Sequence, residues 1–133
     1  MLALTDDVYA AVIGHCYDGL PLEACGLLGG TGAKAAVFYP CENAARSSRV
    51  YTIAPKDHLR ADRDAEGRGL EIIGVVHSHT HTEAYPSPTD VAQAPDPGWH
   101  YVIVSMRHEA PVLRSYRIVD GEVREEPVGR IPR

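Results

Sequence analysis

Three histidines at alternate positions, His77, His79 and His81, end an apolar run of Leu70, Ile72, Ile73, Val75 and Val76. In an extended strand, side chains two residues apart share a face, so His77 and His79 can converge on one ion. A loop leads from them to Ser87-Pro88-Thr89-Asp90, which reads as a helix start. Ser87 is the expected N-cap, Pro88 the first helical residue, and Asp90 the third. A strand end carrying two imidazoles thus faces a helix start carrying one carboxylate. That is the donor set of a catalytic zinc site, with three protein ligands and a fourth position for water. Zinc held this way keeps a charge of about plus one and lowers the pKa of its water to about 7, so hydroxide is available at neutral pH.

The neighbouring residues offer rival readings. Strand alternation carried on to His81 would give a three-histidine site without Asp90. Thr82-Glu83-Ala84-Tyr85-Pro86 reads as loop, so the strand is expected to end first and His81 to be a rim or substrate-facing residue. Ser78 points to the opposite strand face, as a packing or supporting residue. Ser87 has two compatible jobs, capping the helix and donating to the oxyanion of a tetrahedral intermediate. A cysteine nucleophile at Cys25 would need an imidazole partner and an electropositive setting. Cys25-Gly26-Leu27-Leu28 reads instead as buried strand.

The elements that must position these groups follow from turn and periodicity signals. Thr5-Asp6-Asp7 caps a helix reaching about Tyr17, with Val8, Ala11, Val12 and His15 on one stripe. Cys25 to Leu28 is a short strand closed by Gly29-Gly30, and Lys34 to Cys41 a second strand. Glu42 to Ser48 is a polar loop before a strand Val50-Tyr51-Thr52-Ile53. Lys56 to Glu66 has helical composition and stops at Gly67 and Gly69. Leu70 to His77 and Trp99 to Ser105 are buried central strands. Val112 to Val119 and Glu122 to Val128 form a hairpin across Asp120-Gly121, and the tail from Gly129 is expected to fray. The fold class is α+β, a mixed sheet with helices packed on it.

The chain has 133 residues, enough for one domain with a real core. Its hydrophobic content of 44% and charged content of 23% are ordinary for a globular protein. With a net charge of −5 and no basic run, a nucleic-acid partner is disfavoured. No stretch is apolar enough to span a membrane and no signal peptide is apparent, so no membrane role is expected. Three cysteines at unpatterned spacing suggest reduced thiols and a cytoplasmic location.

His77-Ser78-His79, seven residues, Ser87, two residues and Asp90 resemble the JAMM (MPN+) zinc metalloprotease signature. Glu23, in Pro21-Leu-Glu-Ala-Cys-Gly26, stands where that family has its upstream glutamate. The resemblance covers nearly the whole chain, so residues 1–133 are expected to be one MPN+/JAMM domain. Its sheet would be mixed and mostly antiparallel, in a cytidine-deaminase-like layered arrangement. The resemblance implies one Zn2+ on His77, His79 and Asp90, Glu23 as general base and Ser87 supporting the water and intermediate. Thr82-Glu-Ala-Tyr-Pro86 and Leu113-Arg-Ser-Tyr-Arg-Ile-Val-Asp-Gly121 resemble one bacterial branch in particular, the CysO-cysteine peptidases. Members of that branch hydrolyse the amide between cysteine and the C-terminal diglycine of a small ubiquitin-like sulfur carrier protein.

The same cleavage is therefore the expected function. The alternatives are trimming of a carrier's tail for thiocarboxylate-dependent biosynthesis, a non-catalytic MPN scaffold, and a JAB-domain protein working with DNA. With a carrier as partner, the segment from Asn43 to Thr52 would wall the tail groove and pair with it as an added strand. Arg46, Ser47, Tyr51 and His81 are the expected substrate contacts, with Arg49 beside them. A homodimer is left open.

Overall fold

Strands that are apolar on both faces need cover on both sides, and the runs ending at His79 and at Ser105 are the clearest cases. The computed structural model describes all of residues 1–133. Its elements are β1 (Leu2–Thr5), α1 (Asp6–Gly19), β2 (Cys25–Thr31), β3 (Lys34–Cys41), α2 (Pro55–Gly67), β4 (Glu71–His79), α3 (Pro88–Ala92), β5 (His100–Ser105), β6 (Val112–Val119), β7 (Glu122–Glu126) and β8 (Val128–Ile131). The strands form one sheet in the order β7-β6-β5-β4-β2-β3-β1-β8. Pairing is antiparallel at β2–β3, β2–β4, β5–β6 and β6–β7, and parallel at β4–β5, β1–β3 and β1–β8. This is the mixed, mostly antiparallel α+β architecture expected.

Each face of the sheet has its own core. Val8, Val12 and Cys16 of α1 pack with Leu2, Leu4, Leu28, Val76, Val102 and Val104. Ala61 of α2 packs on the other face with Leu27, Val75, Tyr101, Ile103, Tyr116 and Ile118. Thr5 caps α1 as expected, its hydroxyl accepting from Val8 N at 3.1 Å. The buried stripe follows i, i+4, i+8, so Cys16 is in it while Ala11 is exposed.

The departures from expectation lie at the sheet's margins. Leu2–Thr5 is a strand, β1, where only a helix cap was read. The tail is not frayed: Val128–Ile131 is β8, and it runs parallel beside β1. Pro127 explains the break after β7, because it has no N–H to continue a ladder. Val50–Ile53 is not a strand, apart from one bridge between Asn43 and Ile53. Conversely β2 runs on through Gly29 and Gly30 to Thr31.

One irregularity sets the direction of the site. The β2–β4 register slips between Leu28 and Gly29, so the ladder passes from Gly74 directly to Ile72 and leaves Ile73 unpaired. The bulge re-phases the strand. Beyond it Val75 and His77 face the α2 side, while Val76 and Ser78 face the α1 side. A side chain at Gly74 would collide with the His100 carbonyl of β5, so the parallel β4–β5 contact requires glycine there.

Candidate metal centre

His77 and His79 are the last odd-numbered positions of β4, so alternation puts both on the α2 face. They are 3% and 4% exposed. His77 Nε2 and His79 Nε2 lie 3.1 Å apart, and Asp90 Oδ2 lies 3.2 Å from the first and 3.1 Å from the second. Tetrahedral ligands at about 2.0–2.1 Å from zinc are about 3.3–3.4 Å from one another. The triangle therefore has nearly the right size for one ion, and these are the only three residues in the chain whose donor atoms converge so.

The protonation pattern points the same way. His79 Nδ1 donates to the Glu83 carbonyl at 2.8 Å, which leaves Nε2 as a bare acceptor in the neutral ring. That acceptor faces a carboxylate oxygen, so a proton or a metal cation must lie between them. Asp90 is held well below the usual carboxylate range: burial alone would raise it, but the two imidazoles and the Ser87 N–H outweigh burial. His77 is pushed down by burial, against the pull of Asp90.

Each donor is fixed by its own element. Ser87 and Asp90 form a reciprocal capping box, Ser87 Oγ accepting from Asp90 N at 3.0 Å and Asp90 Oδ2 from Ser87 N at 2.9 Å. The Ser87 hydroxyl proton is still free to donate elsewhere, so both jobs read for Ser87 stand together. The helix it starts, α3, is only one turn long. Tyr51 stacks on the His77 ring with centroids 4.3 Å apart and planes 20° apart.

Glu23 comes from the segment before β2. Register pairs Cys25 with His77, so Glu23, two residues earlier, lies across from His79 on the same face. Ser78 secures this alignment: its N–H donates to Ala24 O at 2.9 Å and its hydroxyl accepts from Ala24 N at 2.8 Å. Glu23 is buried, and its Oε1 has no partner in the protein. Burial raises this carboxyl to about 7, with His79 opposing and Asp90 adding to the rise. A buried, unpartnered carboxylate beside a cation-binding triangle can hold and pass a proton.

Asn43, read only as a wall residue, is the hub of the loop that follows. Its Nδ2 donates to Glu23 O at 3.0 Å and Val50 O at 3.0 Å, while its Oδ1 accepts from Ala45 N and Thr52 N. The Ser47 carbonyl accepts from Glu23 N at 2.8 Å, and its hydroxyl accepts from Arg49 N and Val50 N. Ser47 is thus committed to the loop itself. With the amides of Ala44, Ala45, Arg46, Arg49, Val50 and Thr52 already bonded within it, the loop is no free edge for an added strand. That expectation is corrected.

The other expected contacts separate in space. Arg46 is exposed, pairs with Glu42 at 3.4 Å and borders a hollow behind the Glu23 segment. His81 stands away from the ion-binding triangle and lines a polar hollow of about 370 Å³ together with Glu23, Arg49, His79 and Ser87. On the far side of His77, Tyr51 lines an apolar cavity of about 240 Å³ with Leu27, Ile53, Val75 and Trp99. Cys25 is 1% exposed and burial pushes its thiol up to about 12, which removes it as a nucleophile.

A mixed sheet between two helical layers, with His-x-His at one strand end facing an Asp at a helix start, is the arrangement of the JAMM/MPN class. Residues 5–119 match the family described as prokaryotic homologs of the JAB domain, and the chain belongs to that family. It is 42% identical over 134 residues to the CysO-cysteine peptidase of Mycobacterium tuberculosis, covering 96% of this chain and 90% of that one. It is 32% identical over 111 residues to the desampylase of Haloferax volcanii, covering 78% and 80%. Among solved structures, protein DSY2949 of Desulfitobacterium hafniense superposes with a TM-score of 0.91 at 33% identity, covering 100% and 94%. A JAB1/MPN domain protein of Archaeoglobus fulgidus shares the fold with a TM-score of 0.65 at 15% identity, covering 98% and 97%.

Proposed function

We propose that this chain is a zinc peptidase that cleaves the amide joining cysteine to the C-terminal diglycine of a ubiquitin-like sulfur carrier protein. The observation that carries the reading is similarity along nearly the whole of both chains to a protein named for that cleavage, with Glu23, His77, His79 and Asp90 gathered in one place.

Zinc on the His77–His79–Asp90 triangle supplies a Lewis acid and a water acidic enough to react at neutral pH. The chain's own groups account for the rest. Glu23 Oε1 accepts the proton of the attacking water and returns it to the departing amine. Water oxygen adds to the terminal glycine carbonyl carbon, the C–N bond breaks, and the products are the carrier carboxylate and free cysteine. The Ser87 hydroxyl donates to the carbonyl oxygen as negative charge grows on it. Tyr51, stacked on His77, and Glu83, bonded to His79, keep the two imidazoles in place.

The test is mass spectrometry of a sulfur carrier bearing a C-terminal cysteine, incubated with wild type, Glu23→Gln and chelated protein. Loss of one cysteine with wild type alone supports the reading. Cleavage of unrelated peptides at the same rate, or no cleavage of any carrier adduct, contradicts it.

A further inference from the structure

The two hollows beside the donor triangle differ in character. The one beyond Tyr51 is largely apolar. The one beyond His79 has no hydrophobic residue in its lining. At about 370 Å³ it is at the small end of ordinary ligand pockets, which run from about 300 to 1,000 Å³. It shares Glu23, His79 and Ser87 with the reaction centre, so whatever occupies it touches the reacting atoms.

Arg49 is the only lysine or arginine in that hollow, and it forms no ion pair. Other arginines are spoken for: Arg46 pairs with Glu42 at 3.4 Å, and Arg107 pairs with Glu83 at 3.2 Å. The loop carrying Arg49 is tied down by Asn43 and Ser47, and Thr80 Oγ1 donates to the Ser48 carbonyl at 3.2 Å. Its backbone is fixed before any ligand arrives, which lowers the ordering cost of binding. An unpaired cation on a fixed backbone, lining a small polar hollow, is suited to an anion.

Resting on the function proposed above, we infer that this hollow is the leaving-residue subsite and that Arg49 holds the free α-carboxylate of the residue released. The chain is then a C-terminal exopeptidase for its carrier and not an isopeptidase. In a last residue the carboxylate carbon is two bonds from the scissile nitrogen, so its anchor must stand beside the reaction centre, as Arg49 does. An isopeptide would instead place a four-carbon aliphatic stem in the hollow. The lining offers no aliphatic or aromatic side chain to pack along that stem, and Arg49 would meet no charge. A small residue such as cysteine needs no apolar wall, and the guanidinium fork suits its carboxylate.

The experiment uses a ubiquitin-like carrier ending in Gly-Gly and extended in three ways: by cysteine as the free acid, by cysteine as the primary amide, and by lysine through its ε-amine. Wild type should cleave the acid on the order of ten- to a hundredfold faster in kcat/KM than the amide, the value of a hydrogen bond to a charged group. Arg49→Ala should slow the acid far more than the amide, bringing the two rates together, and Arg49→Lys should restore part of the preference. Binding of the acid and amide to Glu23→Gln protein, by titration calorimetry, should show the same preference and lose it when Arg49→Ala is added. Equal cleavage of acid and amide by wild type, or equal slowing of both by Arg49→Ala, overturns the inference alone. Cleavage of the lysine adduct but of neither cysteine adduct, or of no adduct at all, overturns the proposed function and the inference with it.

Discussion

Two buried clusters at opposite ends of the β4–β5 pair use the same ingredients, histidine and carboxylate, to opposite effect. At the start of β5, His100 Nδ1 donates to Glu126 Oε2 at 2.7 Å, Ser115 donates to the same oxygen at 2.7 Å, and the Met1 amine lies 3.4 Å from Oε1. At the end of β4, His77, His79 and Asp90 turn acceptor atoms toward one point, and Glu23 Oε1 beside them has no partner. The first cluster is closed in charge: two donors bond Oε2 and an ammonium stands beside Oε1, although Oε1 itself makes no hydrogen bond. The second is complete only with a cation and a reactant, and it opens on a hollow. What separates the two is orientation and not residue type: in the first cluster donors and an ammonium face the acid, and in the second two imidazole nitrogens and a carboxylate oxygen face one another.

Altering the open cluster should produce the largest effects. Asp90→Asn should cost more metal affinity than the roughly 10- to 100-fold expected for a residue outside the ligand set, read as metal bound per chain after dialysis. Glu23→Gln should keep its metal and its fold yet lose about a hundredfold or more in turnover. Near-normal turnover with a full site would remove Glu23 from the mechanism.

Altering the closed cluster should instead act on stability. Glu126→Gln leaves a buried histidine without its acid and should lower the unfolding free energy by about 3 kcal/mol, with metal content per folded chain unchanged. The pH dependence has a defined sign. Burial alone would raise Glu126, but His100, Ser115 and the N-terminal amine hold it below its ordinary value. A depressed acid contributes its stability above the unfolded value, about 4.3, and loses it as pH falls through the folded value. Denaturant midpoints should therefore decline below about pH 4.3 more steeply in wild type than in Glu126→Gln. Smallest of all, His81→Ala should retain its metal. Loss of metal in His81→Ala with retention in Asp90→Asn would restore the three-histidine reading.

The His77–His79–Asp90 triangle is legible because its signals are local. Alternation along β4 puts His77 and His79 together, and Ser87-Pro88-Thr89-Asp90 announces its own cap. Glu23 needed the family resemblance, because its place opposite His79 is a matter of β2–β4 register, which no short stretch encodes. The bulge at Ile73 is equally silent in the sequence, yet it decides which face receives the histidines. β1 and β8 were missed since each is a four-residue strand stabilised by the other. Val50–Ile53 has strand composition, but the Asn43 side chain occupies the groups a strand would pair. That is tertiary context overriding propensity.

The most direct test is a crystal structure of the protein grown with zinc, measured at the zinc absorption edge. One anomalous peak within about 2.0–2.2 Å of His77 Nε2, His79 Nε2 and Asp90 Oδ2, with Glu23 near it but unbound, is the predicted result. A peak that includes His81 and omits Asp90, or no peak in this triangle at all, would contradict the account.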